Sequence, residues 1–202
     1  NAKKKMAGEI SLRDTIILSQ IKEMLGHFVF DSFLISCGTC RESLHEIGCE
    51  EIFHCEIDDI SNYVLENSDW QYGAKQNVQA LYHTPCHDSF DGKGVPLLGR
   101  FYNSVESVPN CCSEAGTLAI SRPDISYAML ERKRESIEKS TLPGTKLVMA
   151  TNCPSCLSGL GRNSDLNIEP KHMAVLLAET LGGRNWKDDF SGIVANSEKV
   201  TF

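Results

Sequence analysis

No stretch of the chain approaches the ~18 consecutive apolar residues that a membrane-spanning helix needs, and its best apolar runs, such as HFVFDSFLI and MAVLLA, are short. A secretion signal is lacking too. Lys3, Lys4 and Lys5 would suit its basic start, but Glu9, Arg13 and Asp14 interrupt any apolar region behind them. Positive charge is scarce: 20 Lys and Arg stand against 27 Asp and Glu, a formal net charge of −7, so the composition points to no nucleic-acid partner. The run ERKRES (131–136) reads as the solvated face of a helix. No G-x-G-x-x-G follows a strand, and Gly92, Gly94 and Gly99 make no phosphate loop, which argues against a flavin or nicotinamide bound through a Rossmann fingerprint. A cytoplasmic protein is expected, at most peripheral at the inner face of a membrane.

Cysteine is what the chain has in excess. Nine in 202 residues fall short of a disulfide scaffold, yet exceed what a cytosolic enzyme carries by accident. Without support for secretion they read as thiols in a reducing compartment. The rest is ordinary, 41% hydrophobic and 23% charged, and the length suffices for a buried core without stapling. The chain opens on Asn1 rather than methionine, as a piece of a longer protein would.

Hydrophobic spacing predicts a helix over 8–26, with Ile10, Ile16, Ile17, Ile21, Met24 and Leu25 on its apolar face. FDSFLIS (30–36) reads as a buried strand running into Cys37, where a helix starts and continues to about Glu46 before Gly48. A strand at IFHC (52–55) and a helix at DDISNYVLE (58–66), with Asp58 or Asp59 near its N-terminus, follow. The polar, turn-rich NSDWQYGAKQN (67–77) marks a boundary. Beyond it come a strand at NVQALYH (77–83), a short helix near 96–103, and a long helix from Pro123 to about Lys139. A strand at KLVMATN (146–152), a helix from Pro154 to about Leu160, a strand at LNIE (166–169) and a helix at KHMAVLLAETL (171–181), capped by Gly182, complete the pattern. Strands alternating with helices indicate an α/β fold with mostly parallel sheets.

The chain also repeats itself. SCGTCRESL (36–44) matches NCPSCLSGL (152–160), DDISNYVLE matches KHMAVLLAE (171–179), and MAGEISLRD (6–14) matches EAGTLAISRPD (114–124), all in the same order. Two pseudo-symmetric α/β repeats are expected, the first incomplete. Residues 1–72 form the back half of a degenerate first repeat, 73–182 a complete repeat, and 183–202 a C-terminal tail. Lys3-Lys4 fall opposite Cys111-Cys112, so either the first copy lacks that cysteine pair or a junction at the start of the sequence has removed it.

Cys86, Cys111-Cys112 and Cys153-x-x-Cys156 each lie just beyond a predicted strand. Strands of a parallel sheet end at one edge, where ligands bind, so five thiols distant in sequence converge there. Cys153-Pro-Ser-Cys156 also opens a helix, whose free N–H groups favour thiolates. Three chemistries use such a set. An iron–sulfur cluster takes four thiolates; a tetrahedral zinc takes four ligands and leaves one thiol free; a dithiol–disulfide couple needs only Cys153 and Cys156, although a bare C-x-x-C is a weak signal. Buried cysteines filling apolar gaps would account for one or two of the nine, but not for the adjacent pair, whose side chains point opposite ways in extended chain.

VPNCCSEAGTLAISRPDIS, preceded by HTPCHD and followed by NCPSCLSGLGRN, resembles the cysteine-rich CCG domain. That domain occurs in the cysteine-rich subunit of heterodisulfide reductase, in the iron–sulfur subunits of glycolate oxidase and anaerobic glycerol-3-phosphate dehydrogenase, and at the C-terminus of large FAD-linked oxidases related to D-lactate dehydrogenase. The last group is the most similar, since SCGTC, IFHC and the following DI-containing helix resemble the segment before its final CCG motif. The resemblance covers about residues 6–182. It implies two pseudo-symmetric halves with a cluster at their junction, and Cys86, Cys111, Cys112, Cys153 and Cys156 as ligands of a four-iron cluster, of the non-cubane kind where the extra thiol is used. It also implies a flavin domain, with FAD, outside this chain, and an electron acceptor such as a disulfide or a quinone. Ser113 departs from the glycine that gives the family its name.

Cys37, Cys40, Cys49 and Cys55 have a spacing that would supply four zinc ligands, with His45 or His54 as substitutes; the favoured reading is a vestigial half-site of reduced thiols. Cys37 and Cys40, at the duplicated position, are the tentative second metal site. His83 and His87 flank Cys86 and are candidates to hydrogen-bond cluster sulfur or relay protons. The leading expectation is an iron–sulfur electron-transfer domain of an FAD-linked oxidoreductase, not active on its own. The alternatives are a zinc-stabilised interaction domain without redox activity and a thiol–disulfide reductase using Cys153 and Cys156.

Overall fold

Short apolar segments separated by helical ones form two parallel sheets in the computed structural model, which describes residues 2–69, 74–114, 116–142, 147–183 and 185–197. The first part runs α1 (Ala2–Met24), β1 (Ser32–Ile35), α2 (Gly38–Glu46), α3 (Cys49–Phe53), β2 (Glu56–Asp59) and α4 (Ile60–Asn67). Here β1 and β2 pair in parallel, with Ile35 opposite Asp59. The second part runs β3 (Gln76–Tyr82), α5 (Gly94–Leu98), β4 (Tyr102–Ser107), α6 (Leu118–Ser121), α7 (Pro123–Ser140), β5 (Leu147–Thr151), α8 (Pro154–Gly161), a 3-10 turn (Ser164–Leu166), β6 (Pro170–His172), α9 (Met173–Gly182) and α10 (Trp186–Ser197). Its strands are all parallel, in the order β4-β3-β5-β6.

The central strands β3 and β5 are buried on both faces, as their near-continuous apolar runs require. Tyr82, Leu97, Leu98, Met173 and Leu177 belong to the core cluster that includes α5 and α9. Leu81, Met149, Ile137 and Leu160 belong to another, which also holds Cys112, Cys153 and Cys156. Three of the expected ligands thus sit in an apolar layer. The two β–α units repeat in detail. Thr151 lies opposite His172 in β5–β6 as Ile35 lies opposite Asp59 in β1–β2. Asp59 caps α4 by accepting from the Ser61 N–H, and His172 caps α9 by accepting from Ala174. Cys37 and Cys153 are the extended N-cap residues of α2 and α8.

Several elements differ from expectation. IFHC is no strand: Gly48 and His54, both left-handed, bracket the helix α3, and the strand begins at Glu56. LNIE is likewise displaced. Leu166 ends the 3-10 turn, Asn167 turns left-handed, and β6 starts at Pro170. The segment before Cys111 forms the strand β4, which begins at Tyr102, inside the stretch expected as helix to 103. Gly182 is the last residue of α9, and Gly183, at φ 72°, is its C-cap. The expected tail carries the helix α10. On α1, Ile10, Ile16, Ile17, Ile21 and Met24 are exposed, so the apolar face read from the spacing is not a core face; Leu18 packs instead with Phe30 and Phe53. The boundary segment 67–77 falls partly outside the described residues.

Candidate metal centre

The parallel strands deliver the candidate residues to one sheet edge. β3 ends at Tyr82 and leads to His83, Pro85 and Cys86; β4 leads through Val108 to Cys111 and Cys112; β5 leads through Asn152 to Cys153. Strand pairing continues past these ends, with His83 N–H donating to the Ala150 carbonyl and Val108 N–H to that of Tyr82. Asn110 and Ser113 have φ of 70° and 69°, so the chain turns sharply on both sides of the cysteine pair. A left-handed position favours glycine, so Ser113 holds a backbone conformation that a glycine would adopt more readily. Here Ser113 is fully buried and its hydroxyl accepts from Arg162 at 3.3 Å. Opposite the pair, Gly159 lets α8 approach so closely that a Cβ there would meet the Cys112 carbonyl.

Cys112 and Cys156 bring their sulfurs to 3.3 Å. Cys156 also reaches the Cys153 thiol, so three buried sulfurs share protons. Hydrogen bonds from Cys156, then from His83 and the Glu114 N–H, pull the Cys112 thiol well below its usual range against the cost of burial. Cys156, followed by its own N–H and that of Ser155 at the start of α8, does the same for Cys153. Cys156, the proton donor to both, is pushed far up. Of the three thiols, Cys112 and Cys153 thus ionise more readily than a free thiol and Cys156 less readily. Buried negative charge calls for a cation. Lys133 is one, fully buried on α7, with its ammonium lowered to about 8 by burial and held up by the charges of Cys112, Cys156 and Cys111. Among the described residues, a ring nitrogen of His83 and the sulfurs of Cys112 and Cys156 form the group gathered within 4.8 Å of one another, where a metal ion would fit.

The remaining candidates arrange themselves around this group. Cys111 is half-buried and touches Cys112 electrostatically, as does the exposed Cys86 touch Cys111. Cys40 is hydrogen-bonded to Cys37 and feels the charge of Cys153, so the tentative second pair borders the main set. Cys49 does not join: it is buried in an apolar cluster with Ile35, Phe53 and Ile57, and burial lifts its thiol to about 11. Among the described residues no three of Cys37, Cys40, Cys49, Cys55, His45 and His54 come within metal-ligand distance of one another, so the four-thiol zinc arrangement is not formed. His87 is exposed; with Arg41, His45, Glu50, Asp88 and Asp91 it lines a polar pocket of about 280 Å³. His45 Nδ1–H donates to Glu50 Oε2 at 2.6 Å, which raises the imidazole and lowers the carboxyl.

Sequence reasoning missed Lys133, which it left on a solvated face. The signal was its spacing: Leu130, Lys133 and Ile137 make one buried stripe of α7. It also missed the polar seam joining the two parts. Ser89 Oγ donates to Asp59 Oδ2 at 2.5 Å and accepts from Asn152 Nδ2 at 2.7 Å; Tyr82 OH donates to Asn152 Oδ1 at 2.9 Å. His172 Nδ1 accepts from Ala174 N–H, so its Nε2–H donates to the Ser36 carbonyl at 2.9 Å.

No family model matches the chain. It is 26% identical over 136 residues to a subunit of the fumarate reductase (CoM/CoB) of Methanothermobacter marburgensis, covering 63% of this chain and 27% of that protein. With lactate utilization protein A of Exiguobacterium sp. it shares 32% over 130 residues, 57% of this chain and 49% of that protein. With lactate utilization protein A 2 of Bacillus cereus it shares 24% over 184 residues, 79% of this chain and 75% of the relative. The chain thus spans about a quarter to a half of the length of the first two. Among solved structures, glutamate racemase isoform RacE1 from Bacillus anthracis superposes with a TM-score of 0.41 at 11% identity, over 90% of this chain and 64% of that one. The sequence relatives bear out the resemblance that the cysteine motifs carry: the chain is similar, at low identity, to proteins of the CCG cysteine-rich domain family.

Proposed function

We propose that this chain is an iron–sulfur electron-transfer domain of an FAD-linked oxidoreductase, holding one four-iron cluster through Cys86, Cys111, Cys112, Cys153 and Cys156. In this reading electrons pass between a flavin domain outside the chain and an acceptor. The observation that carries it is the trio of neighbouring buried thiols Cys112, Cys153 and Cys156, in an apolar layer beside a buried lysine. Such a donor set fits a cationic, thiophilic group. The bound cluster would supply one-electron transfer, its potential set by burial and hydrogen bonds to sulfur. The chain's own part is legible. The N–H groups of Ser113, Glu114, Ser155 and Cys156 face the sulfurs of Cys111, Cys112 and Cys153. Leu81, Met149 and Leu160 keep water from that layer. We read residues 1–72 and 73–182 as the incomplete and complete copies of one duplicated unit, with Cys37 and Cys40 as the remnant of a second site.

Anaerobic addition of iron and sulfide tests the reading. It should give a brown protein with about four irons per chain and a paramagnetic resonance signal in one redox state. Cys111→Ser combined with Cys153→Ser should abolish both. Wild-type protein that takes up no iron, or a double variant that behaves like wild type, refutes it. A zinc domain is the second reading, because His83, Cys112 and Cys156 already cluster and Cys153 adjoins them. It predicts stoichiometric zinc, no visible absorption, and unfolding by chelators.

A further inference from the structure

The strand β1 is paired on one edge only. Among the described residues its single hydrogen-bonded neighbour is β2, so the backbone of Ser32–Ile35 meets no strand on the other edge. A two-stranded sheet is marginal by itself, and an open edge is a template for a further strand. The equivalent strand of the second part shows how such an edge is closed. β5 pairs with β6 on one side, as β1 pairs with β2. On its other side it pairs in parallel with β3, from Gln79 opposite Leu147 to Tyr82 opposite Ala150.

The helix ahead of each strand carries a second, independent sign. With Cys37 set on Cys153 and no gaps, Met24 at the end of α1 falls on Ser140 at the end of α7. Ile10, Ile17 and Ile21 then fall on Ser126, Lys133 and Ile137, all in the buried stripe of α7. On α1 the three are bare: Ile10 is 53% exposed and Ile21 39%, against 1% for Ile137. Ile137 shares its cluster with Leu81 of β3 and Val108 beyond β4. Gln79 of β3 also holds the end of α7, its Nε2 donating to the Ser140 carbonyl at 2.6 Å and its Oε1 accepting from the Leu142 N–H at 2.9 Å. Leu34 of β1 is 39% exposed, while its counterpart Ala150 is fully buried in the cluster that holds Ala80 and Tyr82. The surface that β3 covers in the second part is thus uncovered in the first.

We propose that the free edge of β1 and the stripe Ile10, Ile17 and Ile21 of α1 form one docking surface, for an extended segment that pairs with β1 in parallel. Its chemistry follows from β3. Alternate side chains face α1, a polar one at the end of the helix and an apolar one against Ile21, as Gln79 and Leu81 do on α7. The side chains between them are apolar and cover Leu34, as Ala80 and Tyr82 are buried with Ala150. Backbone hydrogen bonds supply the affinity and the alternating side chains the choice of segment. The segment comes from the parent protein beyond these 202 residues, and not from a second copy. The one strand here with that pattern, β3, is paired on both edges and has none to offer, whereas this chain covers only 27% and 49% of the first two relatives. No metal enters this inference, so it does not rest on the electron-transfer reading.

A synthetic peptide copying residues 76–84, QNVQALYHT, is the probe, titrated into the ¹⁵N-labelled chain up to its solubility limit. The amide signals of Ser32–Ile35 and of α1 from Ile17 to Met24 should shift, and a scrambled peptide should leave them in place. A spin label at the peptide's N-terminus should broaden Ser32 more than Ile35, and one at its C-terminus the reverse. No shifts, shifts elsewhere, equal shifts with the scrambled peptide, or the opposite order of broadening overturn the proposal. Ile17→Gln combined with Ile21→Gln changes two exposed side chains, so the variant should keep the amide dispersion of the folded chain and bind the peptide about tenfold more weakly. Should the pair not fold, Ile10→Gln, at the most exposed of the three, takes its place. Wild-type affinity in the folded variant removes α1 from the surface and defeats the proposal. Sedimentation of the chain alone should show a monomer; a dimer that Leu34→Arg dissociates would make a second copy the occupant and overturn the assignment. Iron uptake enters none of these readouts, so either reading fails without the other.

Discussion

Two buried cysteines of this chain show how far surroundings override residue type. Cys49 lies in an apolar cluster near Cys55, Glu50 and Glu51, and burial lifts its thiol to about 11, so it stays protonated. Cys112 is as buried, yet Cys156, His83 and a backbone N–H lower it. Packing is therefore the whole role of Cys49. Cys49→Ala should cost about 1 kcal/mol, comparable to losing one buried methyl group, and leave iron per chain unchanged; urea unfolding and metal analysis measure both. A drop in iron content would return Cys49 to the ligand set. That Cys112, Cys153 and Cys156 come close together was legible, because the segments carrying them leave the ends of neighbouring parallel strands. Lys133 was not, because nothing in the letters ERKRES tells that its Nζ reaches the carbonyls of 108–110, more than twenty residues earlier.

At the scale of single elements, the site depends on α8 coming close to the cysteine pair. Gly159 and Gly161 lie two residues apart on that helix, but a Cβ at 159 would strike the Cys112 carbonyl and the Glu114 side chain, whereas one at 161 meets nothing within 4 Å. Gly159→Ala should destabilise by about 1–3 kcal/mol through overpacking and lower the iron bound per chain. Gly161→Ala should leave iron binding intact and stabilise by up to about 1 kcal/mol, the helix-propensity gain over glycine. Thermal melts and metal analysis of the two variants provide the check, and equal behaviour would mean that the close approach does not matter. Gly38 plays the matching part on α2, where a Cβ would run into the His87 carbonyl. Such approaches leave no mark on hydrophobic periodicity. Helix and strand order was readable from that periodicity, but IFHC and LNIE were misplaced where left-handed His54 and Asn167 shift the chain by several residues.

Across the whole molecule, the likeness of the two β–α units was visible in the ordered motif matches, while the seam between the two parts was not. Its partners, Asp59, Ser89 and Asn152, are 30 and 63 residues apart in sequence and belong to no periodic pattern. Asp59 anchors that seam. It is fully buried, caps α4 through the Ser61 N–H and accepts from Ser89, and burial outweighs these bonds to hold its carboxyl above the usual carboxylate range. Asp59→Ala leaves a buried N–H and a hydroxyl without their acceptor, so it should cost about 1–3 kcal/mol. The pH dependence has a definite sign. Between the unfolded value near 3.9 and the raised native one, the native state binds the proton more readily than the unfolded chain. The contribution of Asp59 is therefore largest at low pH and declines as pH rises through the native value. Urea unfolding of wild type and Asp59→Ala, followed from about pH 4 to 7, should show the stability difference narrowing with rising pH. A difference that widens would mean that the seam binds the carboxylate more tightly than burial opposes it, and that the two parts are joined by charge rather than by a shared hydrogen-bond network.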